Sequence, residues 1–130
     1  MINDPRHELI SFTGSTSIGK RVSSIVHSRF GRTILELGGN NAGIVMKDAY
    51  LELVLKAVLF SAVGTAGQRC TTLRRLIIDE YIYYKLINAL ITAYETIPIG
   101  DPLQENVLMG PLHTKSAIKQ YEEGLEEIKK

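Results

Sequence analysis

The stretch Leu9–Phe30, LISFTGSTSIGKRVSSIVHSRF, decides the fold. Leu9–Thr13 is a short apolar run that stops at Gly14. From Ser15 the spacing turns helical, with Ile18, Val22, Ile25 and Val26 on one face. A strand, a glycine turn and a helix start in succession predict an α/β unit, and they bring backbone N–H groups and the positive end of a helix to one point, where an anion binds well. Gly14 and Gly19 make no GxGxxG. On these residues alone, a plain strand-to-helix turn capped by Ser15 or Thr16 is the readier account.

Outward from this stretch the alternation of strand and helix continues. Gly31 is placed to end the helix as its C′ residue, and Thr33–Leu37 (TILEL) has the β-branched and apolar content of a buried strand. Gly43–Met46 reads as a further strand. Asp48 is a plausible N-cap for a helix over Ala49–Val63, which is apolar on nearly all sides through Leu53, Val54, Ala57, Val58, Phe60 and Ala62 and is therefore expected to be buried. Leu73–Asp79 predicts another strand, and Glu80–Ile97 a helix with Ile82, Leu86, Ala89, Leu90 and Ala93 on one face. Pro98–Pro102 and Gly110–Pro111 mark loops. Thr114 can cap a last helix whose apolar positions Ile118, Tyr121, Leu125 and Ile128 step by three and four. Tyr81, Tyr83, Tyr84 and Tyr94 read as packing residues.

Composition bounds the function. With 45% hydrophobic and 22% charged residues, the 130-residue chain can bury a core, and a net charge of +1 spread along it leaves no basic stripe for nucleic acid. Its richest apolar stretch, Ala57–Val63, is far shorter than the ~20 residues that span a bilayer. The opening MINDPRHE has no signal-peptide apolar region. One cysteine fits a reducing compartment, so the expected location is cytoplasmic or mitochondrial rather than secreted. His7, His27 and His113 lack ligand spacing, and no metal site is expected.

Chemistry is concentrated at two places. Cys70, the only cysteine, sits in GTAGQRCTT (Gly64–Thr72), where it is a small hydrophobe, a stray thiol or a nucleophile. Glu36 lies in LELGGNN (Leu35–Asn41) between two leucines. It either points to solvent, pairs with Arg32, or is partly buried as suits a general base. Gly38 and Gly39 after it permit close backbone approach to a ligand. Arg69 favours the thiolate if its side chain turns toward Cys70, and is otherwise a solvated charge.

FTGSTSIG (Phe12–Gly19), LELGG (Leu35–Gly39) and GQRC (Gly67–Cys70), in this order, resemble the cofactor, general-base and nucleophile motifs of the NAD(P)-dependent aldehyde dehydrogenases. ELGGNN, AVGTAGQRCTT and GPLHTK further resemble the antiquitin branch of that family, the α-aminoadipic semialdehyde dehydrogenases. The resemblance runs from about His7 to Lys130. It implies an internal fragment of a longer protein: residues 1–39 from the end of a Rossmann-like NAD-binding domain, and residues 40–130 from the start of the catalytic domain.

In the roles that the resemblance implies, Cys70 is the nucleophile and Glu36 the general base. Gly14, Ser15, Ile18, Leu37 and Gly38 face the cofactor, NAD with NADP as the alternative, and Arg69 binds the distal carboxylate of an acidic semialdehyde. The implied reaction oxidises the aldehyde to the acid through a Cys70 thioester. The full-length protein would be a homo-oligomer, a tetramer. The family's oxyanion-hole asparagine and its two ribose-binding residues fall outside this sequence, so the chain alone is expected to be inactive. Two non-catalytic alternatives stay open, a nucleotide-binding remnant and a remnant that associates with complete subunits.

Overall fold

Two pairs of parallel strands, each joined by a crossover helix, are followed by two further helices. The computed structural model describes all residues from Met1 to Lys130, and they form two units, Met1–Gly39 and Asn40–Lys130.

In the first unit the order is β1 (Leu9–Thr13), α1 (Thr16–Ser28) and β2 (Arg32–Glu36). Parallel strands cannot be joined by a tight hairpin, and α1 provides the crossover. The register sets Leu9 opposite Arg32 and Thr13 opposite Glu36. One face of α1 buries Val22 and Val26 against Ile10, with Ile2 and Phe12 at the margin. Arg29 fastens the far end of the helix, donating from Nε to the Ile2 carbonyl (3.0 Å) and from Nη2 to the His7 carbonyl (2.6 Å).

The helix ends differently from the sequence expectation. Gly31 N–H donates to the Val26 carbonyl and Phe30 N–H to the His27 carbonyl, both at 3.0 Å, which makes a Schellman ending with Phe30 as its left-handed residue at φ 61°. Gly31 is one place later than expected, and another constraint explains its type: a Cβ there would run into the Val26 side chain. β2 also starts one residue early and ends on Glu36.

The second unit runs β3 (Asn41–Val45), α2 (Leu51–Val63), β4 (Leu73–Ile78), α3 (Tyr83–Glu95) and α4 (Lys115–Ile128). Asn41 lies opposite Leu73 but Ala42 opposite Arg75, so β4 carries an extra residue at its start. Val45, Val58, Leu86 and Leu90 form the core, which places α2 and α3 against the strand pair.

Here too several expectations are corrected. Asp48 does not cap α2: Ala49 N–H closes a turn onto the Met46 carbonyl, and the helix begins at Leu51 after Tyr50, which makes no side-chain cap bond. Nor is α2 buried on all sides. Val58 and Val63 are inside, but Leu53 and Phe60 are 63% and 68% exposed, because the unit covers only one side of the helix. α3 starts later than expected because Asp79 takes the Tyr81 and Ile82 N–H groups into a turn.

Thr114 caps α4 as expected, accepting from the Ala117 N–H at 3.1 Å, yet no residue of that helix is buried. Tyr81 and Tyr84 are largely exposed rather than packed. Ile34, Ile44 and Ile77 on the strands also face outward. Parallel strands are usually covered on both faces, and these pairs have open edges and bare apolar sides. No helix is long and apolar enough to cross a membrane.

The exposed Phe30 is held in a backbone region that costs a non-glycine residue free energy. Phe30→Gly is expected to stabilise the chain by about 1 kcal/mol, read as a higher urea midpoint at unchanged slope.

Candidate active site

The α/β order of the first unit gathers the candidate cofactor residues at one end. Because Thr13 pairs with Glu36, the residues that follow each strand are neighbours: Gly14 N–H donates to the Glu36 carbonyl at 3.0 Å. Leu37 packs onto buried Gly19, where a Cβ would collide with it, and this draws the first turns of α1 onto the end of β2. Gly38 lies beside Thr16, and a Cβ built on Gly14 would meet the Phe12 ring. Ile18 is 47% exposed.

Ser15 caps the helix, its Oγ accepting from the Ile18 N–H at 3.3 Å. The hydroxyl proton stays free to donate to Ser17 Oγ at 3.1 Å or to an anion. The N–H groups of Thr16 and Ser17 have no partner within the chain, and the first turn of α1 carries no acidic residue. These features suit a phosphate group. Glu36 is exposed, so the partial burial expected of it is not found in this unit; the face of β2 that carries it is uncovered.

In the second unit the chain leaves α2 through an unusual turn. Thr65 (φ 53°), Ala66 (φ 52°) and Gly67 (φ 71°) are all left-handed, a conformation that is strained for a β-branched threonine. Arg69–Thr72 then forms a tight turn in which Thr72 N–H donates to the Arg69 carbonyl (3.2 Å), while the buried Thr72 hydroxyl accepts the Arg69 N–H (3.1 Å). Cys70 occupies the second position of this turn and is exposed. Its N–H is bonded to nothing within the chain.

The Arg69 side chain makes its contacts with Phe60 and none with Cys70. Its Nη2 donates to the Phe60 carbonyl at 2.9 Å and its guanidinium lies 5.1 Å from the Phe60 ring centre, so the cation caps the carbonyl end of α2. Nε is buried without a partner.

Sequence reading passed over several side chains that hold this turn. Asn41 Nδ2 donates to the carbonyls of Cys70 (2.6 Å) and Thr72 (3.1 Å). Gln68 donates to the Thr65 carbonyl at 3.1 Å and to the Pro111 carbonyl at 3.4 Å, and it accepts from the His113 N–H (3.0 Å) and from His113 Nδ1 (2.9 Å). That last bond requires a proton on Nδ1. His113, set aside for want of ligand spacing, therefore latches the loop before α4 to the cysteine segment. No periodicity marks such residues; the only hint is that Gln68, Asn41 and His113 are polar members of the GQRC, LELGGNN and GPLHTK strings.

Beside the left-handed turn lies an apolar cavity of 490 Å³, bordered by Ala66, Gly67, Tyr94, Met109 and Tyr121. Tyr94 keeps 46% of its surface exposed, and partial desolvation on its cavity side pushes its phenol pKa upward. No cluster of residues that could hold a metal ion is present.

A profile described as the aldehyde dehydrogenase family matches residues 1–130. The chain belongs to that family. Among its relatives, a putative aldehyde dehydrogenase family 7 member A1 homologue of Dictyostelium discoideum is 64% identical over the whole chain, and the α-aminoadipic semialdehyde dehydrogenase of Bos taurus is 55% identical. A betaine aldehyde dehydrogenase of Staphylococcus aureus, crystallised with NAD+, superposes with a TM-score of 0.93 at 28% identity over 97% of the chain. The chain covers 26%, 24% and 25% of these three proteins, so it spans about a quarter of the length of the curated relatives it matches.

As expected from the motifs, this aldehyde dehydrogenase chain is α/β, and its relatives include the α-aminoadipic semialdehyde dehydrogenases. Its cysteine turn depends on the Thr72 hydroxyl. Thr72→Val keeps the side-chain shape but leaves the Arg69 N–H without its acceptor; the expected loss is about 1–2 kcal/mol, measured as a lower denaturant midpoint.

Proposed function

We propose that this chain carries the thiol and the carboxylate of an NAD-dependent aldehyde dehydrogenase that oxidises an acidic semialdehyde, with α-aminoadipic semialdehyde the first candidate and lysine catabolism its setting. The observation that carries this reading is the exposed Cys70, presented in a turn anchored on both sides with its own N–H free. The names printed for the similar dehydrogenases favour the substrate class, and the NAD+ in the bacterial structure favours the cofactor. Residues 1–39 are proposed as part of the NAD-binding domain and 40–130 as part of the catalytic domain.

In this mechanism Cys70 Sγ attacks the aldehyde carbon, and the free Cys70 N–H donates to the oxyanion that forms. Gly14, Ser15 and the unpaired N–H groups of Thr16 and Ser17 would hold the pyrophosphate, and Ile18, Leu37 and Gly38 would contact the nucleotide. The chemistry supplied by the bound dinucleotide is acceptance of the substrate hydride. Glu36 then takes a proton from the water that attacks the thioester carbonyl at Cys70, releasing the acid and the free thiol. Arg69 uses only Nη2 within the chain, and it remains the candidate for the substrate's distal carboxylate. Assembly of the complete protein as a homotetramer is part of the same proposal, and a cytoplasmic or mitochondrial location is supported by the lone thiol.

In the complete protein, Cys70→Ser should abolish aldehyde-dependent NADH formation, and Glu36→Gln should give one rapid turnover per site followed by a stall as the thioester accumulates. Activity surviving in Cys70→Ser would overturn the reading. Assayed alone, the 130-residue chain is expected to form no NADH, since loss of even one oxyanion donor costs ~100-fold or more.

A further inference from the structure

We propose that Asn41 is the positioning residue of the nucleophile: its side-chain amide sets the backbone of Cys70 and thereby the direction of the thiol. The inference rests on the catalytic reading of Cys70.

The geometry around the turn supports it. Each peptide group is planar, so fixing one carbonyl fixes the whole plane. The plane between Arg69 and Cys70 is held by the Thr72 N–H on the Arg69 carbonyl. The plane between Cys70 and Thr71 is held by Asn41 Nδ2 on the Cys70 carbonyl at 2.6 Å. With both planes fixed, φ and ψ of Cys70 are fixed, and with them the Cα–Cβ direction. A second bond from Asn41, to the Thr72 carbonyl at 3.1 Å, ties the same amide to the entrance of β4.

Only one kind of short side chain does this. An NH2 group has two protons for two carbonyl acceptors, a hydroxyl has one and a carboxylate none. Facing two carbonyls, the Asn41 amide must turn its nitrogen inward, so the orientation follows from the acceptors. Its own backbone is anchored as well: Arg75 donates to the preceding carbonyl, that of Asn40, from Nε (3.2 Å) and Nη2 (2.8 Å). The starts of β3 and β4 thus hold each other reciprocally, at the point where β4 carries its extra residue. Gln68 and His113 steady the other side of the segment but touch neither plane that flanks Cys70.

The test uses the complete native protein and counts active sites by thiol titration. Asn41→Ala should lower kcat per titrated site by about 10- to 100-fold while the dinucleotide KM stays within about twofold. A merely structural role would reduce the number of sites without changing kcat per site. Asn41→Asp should be worse than Asn41→Ala near neutral pH, because carboxylate oxygens then face two carbonyl oxygens. It should recover as the pH falls and the protonated carboxyl donates one hydrogen bond. Amide hydrogen exchange over residues 69–73 should quicken in both variants.

If Asn41→Ala does not accumulate, Asn41→Ser, which keeps one donor, should lower kcat per titrated site by a few-fold and quicken exchange over residues 69–73, and wild-type values of both would overturn the inference. Unchanged kcat per site in Asn41→Ala beside an inactive Cys70→Ser would overturn the inference. Unchanged exchange over 69–73 would overturn it whatever the activity. Activity in Cys70→Ser would instead remove the catalytic reading, and the exchange data would still decide whether Asn41 holds the turn.

Discussion

Parallel pairing of β1 with β2 and of β3 with β4 is the constraint from which the positions of the candidate residues follow. A parallel pair needs a crossover, and the crossover returns the chain to the end at which it started. In the first unit this makes the carboxyl ends of both strands neighbours, so that the Gly14 turn, Ser15 and the Glu36–Gly38 stretch meet at one point. Ligands of open α/β sheets bind outside the carboxyl ends of strands, because helix N-termini lie there. In the second unit the amino ends of β3 and β4 are the neighbours that matter, and Asn41 comes to lie against the loop that carries Cys70.

Strain and restraint are combined in that loop. Two non-glycine residues in left-handed backbone, Thr65 and Ala66, each cost about 1–2 kcal/mol, which the chain tolerates only where surrounding bonds determine the conformation. Gln68 supplies such bonds on one side, Thr72 within the turn and Asn41 on the other. Arg69, which by its place beside the cysteine looked free to serve the thiol, instead closes the carbonyl end of α2 over Phe60. The result is a short, exposed turn whose backbone is fixed although few apolar groups bury it.

Local spacing was a partial guide: Ile18 and Ala89 share the apolar faces of α1 and α3 and are nevertheless exposed. The hydrophobic spacing of α1 and α3 named Val22, Val26, Leu86 and Leu90, all of which are buried, and Ser15 and Thr114 were recognisable caps because capping is settled within three residues. Errors arose where one local rule competed with another or with packing. Gly31 satisfied the pattern of a left-handed glycine, yet its smallness serves contact with Val26 while Phe30 takes the left-handed turn. The apolar circumference of α2 suggested burial, but burial depends on what lies opposite a face, and one side of α2 faces nothing within its unit.

The sequence by itself determined the order of strands and helices, the family, and the identity of the candidate thiol and carboxylate, since propensity, periodicity and short motifs all act between residues close along the chain. Only the tertiary structure decided how the turn at Cys70 is held and where Arg69 points. The bonds from Asn41 to Cys70 and from His113 to Gln68 join residues 29 and 45 apart, and which distant polar groups meet is set by strand register and loop closure, for which no local pattern of residues carries a signal.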